Sequence, residues 1–252
     1  MTFRVRADSY DRFMGRYAVP LGPILADFAG VTAGQRVIDV GCGPGALTTE
    51  LVRRVGAAAV SAVDPSEPFV DAARQRHAGV DVRTAAAEQL PYDDATFDVA
   101  LAQLVVQFMS DPIIGLGEMR RVVRRDGAVA ACVWDFYGGT GPLGVFWKAA
   151  RQLDPGAATE GSLAGAREGQ LGELFRAVGL RDVEDSALVV SVQHPTFEDW
   201  WEPFTLGVGP AGAHVASLDA DGQVELREEC RSLQLPAPLV VNARAWAARG
   251  LA

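Results

Sequence analysis

Apolar positions in the first half of the chain fall into short runs, separated by polar stretches of helical period. Gln35–Val40, Ala59–Asp64, Val80–Thr84, Phe97–Ala102 and Ala128–Trp134 each read as a buried strand. Between them, Ala46–Val55 reads as a helix, and Pro65–Ser66 opens another that runs to about His77. The turn-rich segment Pro91–Thr96 introduces the fourth strand. Asp111 as N-cap with Pro112 in the first helical position starts a helix predicted to end near Arg125–Asp126–Gly127. Strand and helix in alternation predict an α/β fold with a mostly parallel sheet and helices on both faces. Upstream, Tyr10–Tyr17 and Pro20–Phe28 read as two helices packed outside the sheet. Downstream, the glycine-rich loop Gly138–Gly144 precedes helices near Leu143–Leu153 and Arg167–Val178, and Arg181–Val192 and Leu239–Trp246 are the last strand candidates. About 45 residues (193–238) separate those strands, with an aromatic cluster of Phe197, Trp200, Trp201 and Phe204 and a polar helix around Asp219–Leu233. An insertion that long in a compact domain is usually functional.

Length narrows this picture: 252 residues suit one α/β domain with an elaboration, read as cap helices over 1–30, a core over 31–135 and a C-terminal half over 136–252. Three widely separated cysteines, Cys42, Cys132 and Cys230, argue for a reducing, cytoplasmic setting rather than a disulfide framework. No apolar run reaches the roughly 18 residues of a membrane span, and Met1–Asp11 lacks the apolar stretch of a secretory leader. A formal charge of −9 repels phosphate backbones, so nucleic acid is not the expected partner. The basic cluster Arg120, Arg121, Arg124 and Arg125 is placed at a helix end, where cations complement the dipole.

The chemistry concentrates at Val37-Ile38-Asp39-Val40-Gly41-Cys42-Gly43-Pro44-Gly45. A buried strand runs into a glycine-rich turn and then directly into a helix, the arrangement that binds nucleotide-like ligands at the carboxyl end of an open sheet. Gly41, Gly43 and Ala46 also satisfy the loose dinucleotide pattern, a weak signal by itself. Asp64 ends the second strand, 19 residues beyond Gly45 (64 − 45), and would bind ribose hydroxyls of either cofactor type. Asp39 discriminates between them. A carboxylate inside an apolar strand is costly; a pyrophosphate beside it raises that cost, and a cationic ligand relieves it.

These residues resemble motif I of class I S-adenosylmethionine-dependent methyltransferases, and the resemblance continues in order. Ala62-Val63-Asp64-Pro65-Ser66 resembles the second-strand motif, Ala87-Glu88-Gln89-Leu90-Pro91-Tyr92 the adenine-flanking segment and Thr96-Phe97-Asp98-Val99 the fourth-strand motif. Glu118-Met119-Arg120-Arg121-Val122 through Asp126-Gly127 resembles the helix and turn before the fifth strand. Over about residues 8–135 the chain is similar to the branch that includes the ubiquinone/menaquinone C-methyltransferases. The resemblance implies a Rossmann-like, seven-stranded sheet with one antiparallel strand, extra helices in a lid insertion, and S-adenosylmethionine as cofactor. It implies that Asp39 and the loop of Gly41, Cys42, Gly43 and Gly45 hold the methionine portion, with Asp64 on the ribose and Pro65 and Ser66 beside the adenine. Ala87 and Glu88 would line the adenine edge and Gln103 would approach the methyl end. Ala86 departs from the family pattern, which often has Asp there. Tyr10 and Arg16 lie where family members close over the cofactor.

Each assignment has a plainer counterpart. Asp39 could simply bond neighbouring backbone, Asp64 could cap a helix and Cys42 could fill the turn. Tyr10, Arg16 and Tyr17 suit an ordinary amphipathic helix, and Trp200, Trp201 and Phe204 suit the packing of the insertion as well as a substrate-facing lid. His194 is the candidate general base and His214 a further one, although an isolated histidine is more often not catalytic. No His/Cys cluster has metal-ligand spacing, so no metal is expected. The expected reaction is methyl transfer to oxygen, nitrogen or carbon of a small molecule, specificity coming from the cap helices and the 193–238 insertion. The alternatives are a protein that binds S-adenosylmethionine without methyl transfer (cyclase-like or regulatory), a nicotinamide-dependent oxidoreductase and an enzyme methylating RNA or protein. Neither the acceptor nor the oligomeric state is legible in the sequence.

Overall fold

The computed structural model describes residues 7–157, 160–234 and 238–252. Residues 1–6 of the opening segment and 235–237 of the insertion therefore lie outside the described residues. The chain opens with α1 (Ala7–Tyr10), a π-wound turn over Asp11–Gly15 and α2 (Arg16–Ala29). β1 (Val37–Val40), α3 (Ala46–Val55), β2 (Val60–Asp64), α4 (Glu67–Arg76), β3 (Asp81–Thr84), β4 (Phe97–Gln103), α5 (Pro112–Val122) and β5 (Val123–Trp134) follow. The second half adds α6 (Gly144–Leu153), α7 (Gln170–Ala177), β6 (Arg181–His194), α8 (Phe197–Trp201), α9 (Gly209–Ser217), α10 (Ala220–Leu233) and β7 (Leu239–Leu251). The seven strands form one sheet in the order β3-β2-β1-β4-β5-β7-β6, parallel except for β7, which runs antiparallel to both neighbours. This is the predicted Rossmann-like α/β architecture.

Alternation along β1 shows how the layers form. Val37 joins the core beneath α2 and α3, while Ile38 and Val40 join the core on the other face with Leu116 and Met119 of α5 and Phe175 of α7. All four β1 residues are buried because helices cover both faces. Asp39 lies on the α3 side, where Thr48 meets it.

Two expectations change. The predicted helices Tyr10–Tyr17 and Pro20–Phe28 are one interrupted helical run, with Pro20 and Pro23 inside α2. Each proline removes a ladder bond, and the loss is tolerated because buried Phe13, Met14, Tyr17, Leu21 and Leu25 press the run onto the sheet and lid. Second, the α5 helix stops at Val122, and Arg124 and Arg125 stand at the start of β5, not on a helix end. Backbone pairing across the sheet overrides local helical pattern here: Val123 pairs with Phe97, with a register shift before Val99. Arg124 meets Asp98 at 2.6 Å and Arg121 meets Glu118 and Asp94, so these guanidinium groups face carboxylates. Asp111 caps α5 as predicted, accepting hydrogen bonds from the N–H groups of Ile113 and Ile114.

Candidate functional site

A cleft with about 230 Å³ of open space lies at the carboxyl ends of β1, β2 and β4. Gly41, Gly43, Asp64 and Pro65 form one wall, Ala86, Ala87 and Glu88 a second, and Gln103 to Val105 the floor; Tyr10 of α1 and Phe69 of α4 close one side, their ring centroids 5.4 Å apart. The loop is built for close approach. Gly41 sits at φ +73°, and a Cβ there would drive into the Val105 side chain. Gly43 sits at φ +53° with nothing within 4 Å of where a Cβ would stand, so its backbone is open to a ligand. Asp64 fixes the loop: Oδ2 accepts from Gly43 N–H at 2.9 Å and Oδ1 from Ser66 N–H at 2.8 Å.

The electrostatics are one-sided. Asp39 is fully buried; Thr48 Oγ1 donates to Oδ2 at 2.6 Å, and Oδ1 has no partner among the described residues. Burial, with the nearby Asp64 charge adding to it, pushes the Asp39 carboxyl up to about 7. Burial also raises Asp64, and burial with the Asp64 and Asp11 charges raises the Tyr10 hydroxyl. Two desolvated carboxylates that each disfavour ionisation make a site that gains by taking in a cation. Gln103, also buried, donates from Nε2 to Ala18 O and leaves Oε1 without a partner among the described residues. Leu104 has φ +63°, an uncommon conformation for a branched side chain, and this strain lies on the cleft floor.

Residues 38–131 match the model of a methyltransferase domain. Over that stretch the chain is similar to methyltransferase domains. Among curated proteins, a malonyl-[acyl-carrier protein] O-methyltransferase of Erwinia billingiae is 34% identical over 123 residues, 49% of this chain and 48% of that protein. The chain thus spans about half the length of this relative. The YcgJ protein of Bacillus subtilis shares the fold at TM-score 0.57 and 20% identity, over 93% of this chain and 97% of its own. A phosphoethanolamine N-methyltransferase 2 of Haemonchus contortus, solved with S-adenosyl-L-methionine, shares it at TM-score 0.58 and 18% identity, over 97% of this chain and 59% of its own.

Within this methyltransferase fold the predicted site residues separate into groups. Tyr10, Gly41, Gly43, Asp64, Pro65, Ala87, Glu88 and Gln103 line the cleft together. Asp39, Cys42, Gly45 and Ser66 stand behind or beside it. Cys42 packs among Ala62, Val70, Ala73 and Val82, and burial raises its thiol. Gly45 lies against His77 and Thr48, and Ser66, 2% exposed, bonds through its backbone to Asp64. Arg16 departs from its expected place: it faces the insertion, with Nη1 2.9 Å from Asp199 Oδ2 and 2.8 Å from His194 Nδ1. His194 likewise is no cleft base. It is 1% exposed, Nδ1 lies 2.9 Å from Asp199 Oδ2, and Nε2 lies 2.9 Å from the Tyr17 hydroxyl. Burial lowers its pKa, and the side chain ties α2 to the start of the lid. His214 packs edge-on against Phe146 and tilted against Trp147. Trp200, Trp201 and Phe204 are buried in the core with Phe13 and Phe146, so packing accounts for them.

Sequence reading missed the segment that follows β4. Leu104, Val105, Phe108, Met109 and Ser110 all line the cleft, and the N–H of Ser110 donates to Glu88 Oε1 at 2.6 Å. The signal available was position, since residues just past a parallel strand stand at the ligand-binding end of the sheet. A second, smaller chamber adjoins the cleft. Tyr10, Leu104 and Phe108 belong to both, and Phe13, Met14, Gln107, Trp134, Phe136, Leu143, Glu160 and Val208–Ala211 complete it. Among the described residues, no group of His, Cys, Asp and Glu could hold a metal ion, and no helix is long and apolar enough to cross a membrane.

Proposed function

We propose that this methyltransferase domain binds S-adenosylmethionine in the first cleft and transfers its methyl group to a small molecule seated beyond it. The observation that carries this reading is the buried, uncompensated carboxylate of Asp39 beside Asp64, which favours a cationic ligand and disfavours a pyrophosphate. The open backbone of Gly43 also fits the close approach of such a ligand. Asp39 and the loop would hold the methionine portion, Asp64 the ribose, and Ala87 and Glu88 the adenine edge; Ala86 brings no carboxylate to that edge. When bound, the cofactor supplies an electrophilic methyl on a sulfonium. The protein's own contribution is positioning: Leu104, Val105 and Phe108 exclude water, and Tyr10 closes the cleft between cofactor and acceptor sides. Three buried thiols, Cys42, Cys132 and Cys230, support a reducing, cytoplasmic setting.

Calorimetric titration with S-adenosylmethionine and S-adenosylhomocysteine tests the reading. Binding is expected, and Asp64→Ala is expected to weaken it by about tenfold or more, roughly 1.4 kcal/mol. A folded wild-type protein that binds neither compound would remove the proposal. Binding without methyl transfer to any acceptor would favour the cyclase-like or regulatory alternative.

A further inference from the structure

The glycine loop is gripped from behind by the end of α4. Nη1 of Arg76 donates to Pro44 O at 3.1 Å, and Nε2 of the next residue, His77, lies 3.2 Å from Gly45 O. Gly45 sits at φ +99°, and a Cβ there would stand 2.6 Å from His77 Nε2. This glycine therefore makes room for the histidine, whereas Gly43 stays open toward the cleft. Arg76 also has a second arm. Its Nη2 meets Asp11 Oδ2 at 2.5 Å, on the π-wound turn of the cap and next to Tyr10, which lines the cleft. Neither Arg76 nor Asp11 is among the residues that line the cleft. One guanidinium thus joins two of its walls from outside.

Those walls differ in how they are anchored. The loop continues β1 and is also held by Asp64, which accepts from Gly43 N–H at 2.9 Å. The cap lays Tyr10 against Phe69 of α4, with ring centroids 5.4 Å apart, and Phe13 beyond it packs on Phe204 of the insertion. Short π-wound stretches depart from the regular helical ladder and recur at functional sites; here the stretch begins at Asp11, the residue that Arg76 holds. A guanidinium suits this post because its donors stand in a rigid planar fork, so binding two acceptors with separate nitrogens fixes their spacing. The side chains of Arg76 and Asp11 are 41% and 35% exposed, so salt screens the pair and it adds little to overall stability. Its effect falls on the relative position of the two walls.

Resting on the cofactor assignment above, we propose that Arg76 is a positioning residue that locks the cap to the glycine loop and thereby sets how long the cofactor and its spent form stay bound. It acts through Pro44 O and Asp11 without touching the ligand. Opening the cleft on the Tyr10 side breaks the Asp11 arm, while the Pro44 arm keeps the guanidinium in place for reclosure.

The test follows release of labelled S-adenosylhomocysteine after a chase of unlabelled compound, in wild type, Arg76→Met, Asp11→Asn, the double variant and Arg74→Met. Arg76→Met is expected to speed release about tenfold, since it removes a charge-assisted hydrogen bond on each arm. Asp11→Asn weakens the cap arm alone and should speed release about threefold. The double variant should release no faster than Arg76→Met, because both arms run through one guanidinium. Raising salt from about 0.05 M to about 0.5 M should speed release from wild type and leave Arg76→Met nearly unchanged. Arg74 of the same helix bonds Asp71 and Val82 O instead, so Arg74→Met should release like wild type. Ligand-free urea midpoints are expected to match wild type throughout; faster release that comes only with a lowered midpoint counts as loss of fold and overturns the inference. Release from Arg76→Met at the wild-type rate, single effects that multiply in the double variant, or equal acceleration in Arg74→Met also overturns it. If Arg76→Met does not fold, Asp11→Asn decides, and release from it at the wild-type rate overturns the inference. Failure of S-adenosylhomocysteine to bind wild type instead removes the functional reading beneath it.

Discussion

Replacing Asp39 with Asn is expected to make the ligand-free protein more stable at alkaline pH while impairing its cofactor site. The carboxyl moves from its ordinary 3.8 to about 7 on folding. Its folded pKa is raised, so stability is full below 3.8, falls as pH rises and levels off above 7, because the unfolded chain releases the proton first. The difference of about three units, at about 1.36 kcal/mol each, corresponds to about 4 kcal/mol lost by pH 8. Asparagine carries no such charge and still accepts the Thr48 hydroxyl, which donates to Oδ2 at 2.6 Å. Its amide N–H groups then occupy the place of the partnerless Oδ1, at a cost of about 1–3 kcal/mol. The balance is a gain of about 1–3 kcal/mol at pH 8 and near equality with wild type at pH 5. For a chain of this length that is roughly 2–4 °C in Tm per kcal/mol. Urea unfolding at both pH values, paired with S-adenosylmethionine titration, reads both effects, and affinity is expected to fall by about tenfold or more. If Asn destabilised the protein equally at pH 5 and pH 8, the carboxylate would not be the strained charge described here.

Gly41→Ala should disrupt the loop, since it forces a side chain into a left-handed backbone position against Val105; a loss of about 1–3 kcal/mol in urea unfolding is expected. Tyr17→Phe removes the hydroxyl 2.9 Å from His194 Nε2, leaves a buried ring nitrogen without that partner, and should cost about 1–3 kcal/mol while S-adenosylhomocysteine affinity stays unchanged; a large loss of affinity would mean that His194 serves the cleft after all. Because burial lowers the folded pKa of His194, its contribution to stability is present above the ordinary 6.5 and is lost as pH falls below it. A His194→Gln variant should therefore show a shallower loss of stability than wild type between pH 6.5 and 5, as measured by thermal unfolding.

Sequence alone made most of the first cleft legible. Strand β1, the glycine turn and helix α3 are contiguous in the chain, so the local requirements of a buried strand and positive-φ turn wrote Asp39, Gly41 and Gly43 into one legible stretch. Asp64 and Ala87–Glu88 were legible for a similar reason, Asp64 ending β2 and Ala87–Glu88 following β3 at the carboxyl edge of the sheet. The tertiary structure decided whatever depends on contacts between distant segments. Arg16 and His194 are 178 positions apart in sequence, and only the docking of α2 against the lid reveals that they hold each other rather than a ligand. The end of α5 at Val122 was set by β5 pairing with β4, a non-local force that outweighs helical pattern. The second chamber draws Tyr10 and Phe13 from the cap, Gln107 from the turn after β4, Glu160 from the segment after α6 and Val208–Ala211 from the lid. A lone glutamate in a polar stretch carries no periodic signal; its burial beside Trp147 exists only once those four segments close around it.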